Sequence, residues 1–355
     1  MHYTCCMPKT PVAVLGATGA VGQRFIQLLA DHPWFEVAEL AASDRSAGKP
    51  YGEACTWRLP GSVPPSVSER VVSSLDSPFR SPLLFSGLDS SVAGEAEAAL
   101  AAKGHAVVTN SRNHRMDPDV PLLVPEINAD HLAALEGQRR RTGGGYILTN
   151  PNCSVVGLVL ALAPLHRAFG LESVVVVTLQ ALSGAGYPGV ASLDIEDNVL
   201  PFIGGGEEEK IESEPQKILG GFAQGAFSPA PFPVSSSVHR VAVVDGHTMA
   251  IFVRLRTRAT PAQASRVLAD FRGEPQERRL PSAPRQPIHV LTEPDRPQPR
   301  RDRDREGGMA VSVGRIREDK VFDLRLEALV HNTIRGAAGA AILNAELLQA
   351  RGLLP

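Results

Sequence analysis

Short apolar runs alternate with helical periodicities through the first 150 positions. An apolar run at 12–15 leads into Phe25, Leu28 and Leu29 at helical spacing, and a second run follows at 37–42. Further strand-like runs lie at 83–85, 106–109, 122–124 and 146–149, with a helical stretch at 93–102 between two of them. This alternation predicts an α/β fold whose first part is a doubly wound parallel sheet covered by helices.

The texture changes at Cys153. A helical pattern runs from there to about residue 169, and the β-branched run 174–179 is too uniform for an exposed strand. Strand-like stretches at 241–244, 249–255, 310–315 and 322–330 predict an α+β mixed sheet with helices on one face. The segment 273–308 is crowded with Pro and Arg, but in Arg300-Arg301-Asp302-Arg303-Asp304-Arg305 acidic residues interrupt the basic ones. Local cancellation favours a long surface connection or dimer-contact segment over a nucleic-acid arm. A final helix is expected over 333–349, packing back on the first half, and no internal repeat is present.

Composition narrows the function classes. The 355 residues suit two domains; 43% hydrophobic and 21% charged residues with a formal net charge of -2 give no global attraction to nucleic acid or anionic lipid. No window reads as a membrane span, and the N-terminus, with Cys5, Cys6 and Lys9, lacks the pattern of a signal peptide, so a cytoplasmic protein is expected. The four cysteines, Cys5, Cys6, Cys55 and Cys153, make no disulfide framework and no zinc-ligand spacing, so no metal is expected.

The run 12–15 enters Gly16-Ala17-Thr18-Gly19-Ala20-Val21-Gly22 and then a helical pattern. A strand, a glycine turn and a helix N-terminus in this order put backbone N–H groups and the helix dipole where a pyrophosphate can sit, so Gly16, Thr18, Gly19, Ala20, Val21 and Gly22 are cofactor-site candidates. Simple strand-to-helix packing would use the same glycines. After the second strand, Ser43, Arg45 and Ser46 suit the 2′-phosphate of NADP, while Asp44 keeps NAD open. The expected organisation is a Rossmann-type NADP-binding domain of residues 1–150 and 331–355, with a catalytic and dimerisation domain of 151–330.

Cys153, in Thr149-Asn150-Pro151-Asn152-Cys153-Ser154, stands between a short strand and a long helix. The helix N-terminus lowers a thiol pKa and can hold a developing oxyanion, and a cysteine nucleophile beside a hydride acceptor is what thiohemiacetal oxidation requires. Buried structural cysteines are commoner in general. Among ten histidines His247 stands out, because Arg240 and His247 flank the apolar run 241–244 and its turn, offering a carboxylate clamp and an acid/base.

At these residues the chain resembles the aspartate-semialdehyde dehydrogenase family, particularly its archaeal and fungal branch. The resemblance runs through Gly16 to Gly22, Arg45-Ser46-Ala47-Gly48-Lys49, Asn152-Cys153-Ser154, Gln180-Ala181-Leu182-Ser183-Gly184-Ala185-Gly186, Glu207-Glu208-Glu209-Lys210, Lys217-Ile218-Leu219-Gly220, Asp245-Gly246-His247-Thr248 and 332–339. It implies that Cys153 forms a thioester with aspartate 4-semialdehyde, that phosphate cleaves it to 4-phosphoaspartate, and that the physiological direction is the reverse, in lysine, threonine and methionine biosynthesis. By the same resemblance His247 would be the acid/base, Gln180 and Arg240 would orient the amino-acid end, and Glu207 would meet the ammonium group. Arg115 and Lys210 would hold phosphate, with Arg112 a competing candidate, and Asn152 would belong to the substrate site. Ser183, Gly184 and Asn332, with Thr333, would border the nicotinamide, and the assembly would be a homodimer or homotetramer.

Three departures from the family pattern stand out: His239 where Asn is usual before Arg240, Ala242 where Pro is usual, and Met249 where many relatives carry Glu. The alternatives are a malonyl-CoA reductase on the same scaffold, an N-acetyl-glutamyl-phosphate reductase, which fits the Ser183 and Asp245 motifs less well, and a non-catalytic dinucleotide-binding paralogue. The last would be expected to lack Cys153, His247 or Arg240, and all three are present.

Overall fold

The computed structural model describes residues 8–355, so Cys5 and Cys6 lie outside the described residues. Strand β1 (Thr10–Leu15) leads into helix α1 (Ala20–Leu29) and strand β2 (Phe35–Ala41). Then come β3 (Leu83–Ser86), α2 (Ser90–Ala102), β4 (Ala106–Thr109), α3 (Leu135–Thr142) and β5 (Tyr146–Thr149). The five strands form one parallel sheet in the order β2-β1-β3-β4-β5. Every residue of β3, β4 and β5 is buried, which is why these strands read as unbroken apolar runs rather than alternations. The order reverses between β1 and β3, and their carboxyl ends open the crevice where doubly wound sheets bind ligands.

Helix α4 (Cys153–Phe169) follows, with residues 154–165 all buried. It packs on a second, six-stranded sheet built from β6 (Leu171–Gln180), β7 (Val234–Arg240), β8 (His247–Leu255), β9 (Ile288–Leu291), β10 (Val311–Glu318) and β11 (Leu324–Val330), in the order β9-β10-β11-β8-β6-β7. The outer pairs β9·β10 and β6·β7 are parallel and the inner pairs antiparallel, a mixed sheet. A Cβ on Gly157 would lie 2.8 Å from Met249 Cε and Val330 Cβ, so glycine lets α4 approach the sheet this closely. Helices α5 (Glu207–Ile218) and α6 (Pro261–Ala269) share this core through Ile211, Ile218, Ala264 and Leu268. The last helix, α7 (Gly339–Ala350), returns to the first sheet, where Ala341, Ile342, Leu343 and Leu347 join Phe25, Phe85 and Leu148.

Several sequence expectations are corrected. Residues 122–124 form no strand: Leu122 makes one parallel bridge to Thr149, and Pro121 and Pro125, which lack an N–H, flank it. Residues 241–244 are not a strand either. The strand before His247 is the serine-rich β7, an edge strand, and the apolar run after it forms a loop whose carbonyls at Val243 and Val244 accept from Leu182 and Ser183 N–H. Segment 273–308 is more than a surface connection. It supplies edge strand β9 and buries Asp302, which accepts from Arg296 Nε at 2.6 Å and from Arg305 Nε at 3.2 Å. The helix expected over 333–349 divides into a π-helical turn (Ile334–Ala338) and α7, and Asn332 and Thr333 lie on the turn after β11.

Candidate active site

The glycine loop closes on itself at the crevice. Gly16 has φ +70, and a Cβ there would lie 2.7 Å from Gly87 O; a Cβ on Gly22 would lie 2.2 Å from Gly16 O. The loop is held from outside by Tyr51, whose hydroxyl donates to Ala17 O at 2.9 Å, and by Gln23, whose Nε2 donates to Thr18 O at 3.0 Å. Helix α1 begins at the N-cap Gly19 with no side-chain cap and no acidic residue in its first turn, so the amides around Ala20 and Val21 are open to an anion. This geometry fits a dinucleotide pyrophosphate. Beyond β2, Ser43, Asp44 and Arg45 are exposed and Ser46 is buried, its N–H donating to Ser43 O at 2.8 Å in a tight turn.

Asn152 caps α4: its Oδ1 accepts from Ser154 N at 2.9 Å and Val155 N at 3.4 Å, leaving Cys153 as the first helical residue. A Cβ on Gly336 would lie 2.9 Å from Cys153 O and 3.0 Å from its Cβ, so the turn before α7 presses on the back of the cysteine. Cys153 Sγ lies 3.2 Å from His247 Nε2. Ala181 N–H donates to His247 Nδ1 at 3.0 Å, so the neutral ring carries its hydrogen on Nε2, towards the sulfur. Burial pushes the Cys153 thiol up to about 12, with Glu207 adding to the rise and Arg115, Arg240 and Lys210 opposing it. Burial, then the charges of Arg240 and His331, pull His247 down to about 3. The free site therefore holds a neutral thiol beside a neutral imidazole.

Gln180 and Arg240 are register partners at the ends of β6 and β7, with Gln180 on the strand next to that of His247, which opens β8. Both are buried; Gln180 Nε2 donates to Thr178 Oγ1 at 3.2 Å and Arg240 Nη1 to Ala181 O at 2.6 Å. Gly184 packs on Arg240 and His247: a Cβ there would lie 3.1 Å from both Arg240 Nη1 and His247 Cε1. Ser183 Oγ accepts from Asn332 Nδ2 at 2.8 Å, while Asn332 Oδ1 accepts from Gly246 N at 2.8 Å, tying three loops together beside His247.

The other wall comes from α5 and the loop after β4. Glu207 accepts from Asn152 Nδ2 at 2.8 Å and pairs with Lys210 at 3.2 Å. Arg115 is buried, pairs with Glu214 at 2.8 Å and donates to Asn110 O at 2.7 Å. Arg112 is exposed and reaches Gly205 O at 2.7 Å, just ahead of α5. Among the departures, Met249 is wholly buried against Gly157 in the core beneath α4. Cys55 is a buried free thiol between the Tyr51 turn and the cofactor-loop core.

Sequence reading passed over Glu214, Asn150 and the Ala181 amide. Asn150 Nδ2 bridges Asn110 Oδ1 at 2.9 Å and Ala337 O at 3.1 Å. Glu214 had a signal, because Glu207, Lys210, Glu214 and Lys217 recur at helical spacing on one face; a backbone amide leaves none.

The family profile of the semialdehyde dehydrogenase NAD binding domain matches residues 11–135, and that of the semialdehyde dehydrogenase dimerisation domain matches residues 162–335. The second match supports an oligomeric assembly. The chain is 52% identical over 342 residues to the aspartate-semialdehyde dehydrogenase of Methanothermobacter thermautotrophicus, covering 95% of this chain and 98% of the relative. Against that of Schizosaccharomyces pombe it is 49% identical over 353 residues, covering 97% and 99%. A crystal structure of aspartate semialdehyde dehydrogenase with NADP from Candida albicans superposes with a TM-score of 0.90 at 44% identity, covering 98% of this chain and 100% of that one. With both halves matched and nearly the whole length shared, the chain belongs to the aspartate-semialdehyde dehydrogenase family.

Proposed function

We propose that this protein interconverts L-aspartate 4-semialdehyde and phosphate with 4-phospho-L-aspartate, working physiologically in the reductive direction that feeds lysine, threonine and methionine synthesis. The observation that carries the reading is the 3.2 Å approach of His247 Nε2 to Cys153 Sγ at the N-terminus of α4.

In the reductive direction the Cys153 sulfur attacks the acyl carbon, its proton passes to the departing phosphate, and a thioester remains. The Gly16–Gly22 loop would hold reduced NADP, with Ser43, Arg45 and Ser46 at its 2′-phosphate, and that cofactor would supply the hydride. His247 Nε2 is placed to give a proton to the oxygen as its charge develops and to take it back as the carbon–sulfur bond breaks, releasing the aldehyde and returning the thiolate. The Cys153 N–H, ahead of the Ser154 and Val155 amides that Asn152 caps, would meet the same developing charge.

Arg240 offers a buried guanidinium to the α-carboxylate with Gln180 beside it, and Glu207 offers a carboxylate to the ammonium group. Because Glu207 raises the Cys153 thiol while Arg115, Arg240 and Lys210 lower it, an ammonium neutralising Glu207 would leave the cations unopposed and favour the thiolate. Arg115 and Lys210 would hold the phosphate, and Ser183, Gly184 and Asn332 would border the nicotinamide. We assign residues 1–150 and 331–355 to NADP binding and 151–330 to catalysis and dimerisation. The assembly is read as a homodimer, with a tetramer the alternative: Leu193, Phe202 and Val244 are exposed apolar side chains of the second half. No helix among the described residues is long and apolar enough to cross a membrane, and a nucleophile needing a free thiol suits the reducing cytoplasm.

The test is reduction of NADP by aspartate semialdehyde with and without phosphate, followed by absorbance, with Cys153→Ala as control. Phosphate-dependent turnover lost in the variant supports the reading. Inactivity with phosphate together with oxidation of NADPH by malonyl-CoA would replace the substrate, and silence with both would remove the catalytic reading.

A further inference from the structure

Helix α5 lays one polar stripe, Glu207, Lys210, Glu214 and Lys217, against the nucleophile turn and the loop after β4. Glu214, 1% exposed, sits at the centre of it. Its Oε1 is 2.8 Å from Arg115 Nη1, and its Oε2 accepts from Asn152 N at 2.6 Å. Lys217 Nζ spends its three hydrogens on the carbonyls of Arg115, Asp117 and Val120, at 2.7, 2.8 and 2.9 Å. The backbone of the Arg115 loop is thus pinned by one residue of the stripe and the guanidinium by another. Arg115 Nε, by contrast, is buried without a partner, a donor left over after Glu214 and Asn110 O have taken the terminal nitrogens.

We propose that Glu214 is a positioning residue that fixes the Arg115 guanidinium relative to Cys153, so that the anion held by Arg115 is registered against the nucleophile through a single carboxylate. The inference rests on the reading of Arg115 as a phosphate ligand. Its physical basis is that one rigid, buried carboxylate bonds both the cation and the main chain immediately before the nucleophile. Displacing either partner then displaces the other, and a misplacement of the order of an ångström costs about 100-fold in a reaction governed by approach geometry.

The experiment is a double-mutant cycle on the full-length enzyme, Glu214→Gln with Arg115→Met, measuring KM for phosphate, KM for NADP and kcat. In Glu214→Gln the amide oxygen can still accept from Asn152 N, but its NH2 faces the guanidinium donor to donor. The expected result is a rise of about tenfold or more in KM for phosphate, with KM for NADP held within about twofold. The double variant should match Arg115→Met alone, since Glu214 acts through Arg115. A purely structural role would lower kcat through loss of folded enzyme and leave KM for phosphate where it was. If Arg115→Met raises KM for phosphate and Glu214→Gln does not, the proposal is overturned while the Arg115 reading stands. If Arg115→Met leaves KM for phosphate unchanged, the Arg115 reading fails and takes the proposal with it. Should Glu214→Gln not fold, Glu214→Asp, charged but one methylene too short to span both partners, reads the same way.

Discussion

Cys153 and His247 face each other as a neutral pair, sulfur to Nε2 at 3.2 Å, with the thiol pushed up to about 12 and the imidazole pulled down to about 3 by burial. A thiol with that pKa is almost wholly protonated at neutral pH, so carbamidomethylation of Cys153 in the ligand-free enzyme should accelerate about tenfold per pH unit from pH ~6 to ~9 without levelling off. A plateau beginning near pH ~7 would instead reveal a thiolate–imidazolium pair formed before substrate arrives.

The same values give stability a pH dependence with a definite sign. An unfolded histidine titrates near about 6.5 and the folded His247 near about 3, so the unfolded chain binds the extra proton between them and stability falls as pH drops through that window. On the alkaline side the unfolded thiol ionises near about 8.5 while the folded one keeps its proton, so stability falls as pH rises past that value. Urea midpoints across pH, wild type against His247→Asn, should show a smaller acid-side loss in the variant; identical slopes would contradict the assignment.

Arg45 is exposed at the tip of the turn after β2 and has no acidic partner among the salt bridges of the described residues. If it meets a 2′-phosphate, Arg45→Glu should lower kcat/KM for NADP between about 10- and 100-fold, the worth of a charge-assisted hydrogen bond, and leave NAD little changed. An unchanged NADP-to-NAD ratio would remove Arg45 from the cofactor site.

Behind the nucleophile, Arg335 and Glu126 form an ion pair of 2.6 Å in which both side chains are wholly buried. Arg335 adjoins Gly336, which presses on Cys153, and Glu126 also receives Gln276 Nε2 at 3.4 Å. Arg335→Met would strand the Glu126 charge and should cost about 3–5 kcal/mol, whereas Arg335→Met with Glu126→Leu should recover much of it. Equilibrium urea unfolding of the three proteins checks this, and equal losses in the single and double variants would count against a coupled pair.

Much of the fold was legible because local pattern and tertiary role agree. Helix α4 begins at Cys153 and ends at Phe169, where the sequence pattern placed it, because Asn152 caps one end and Gly170 follows the other. The misplaced strand before His247 has a tertiary cause. Ser235, Ser236 and Ser237 lie in a strand because β7 pairs with β6 at the sheet edge, where little apolar surface is required, whereas the more strand-like 241–244 must bend to deliver His247. A β-preference is a preference for a half-buried surface, and neighbours far along the chain decide whether that surface exists.

By itself the sequence determined the two textures of the chain, the glycine loop between strand and helix, and the placement of a cysteine at a helix start, since each depends on backbone conformations and periodicities set within a few residues. Only the tertiary structure decided which histidine faces that cysteine, which nitrogen carries its hydrogen, and which cations are already engaged. Those outcomes depend on groups far apart in sequence: Ala181 N–H meets His247 Nδ1, Glu214 joins Arg115 to Asn152, and Asn332 joins Ser183 to Gly246. Burial supplies the rest, because the charges and hydrogen bonds that set the chemistry of Cys153 act at full strength only once the two halves of the chain have excluded water from around it.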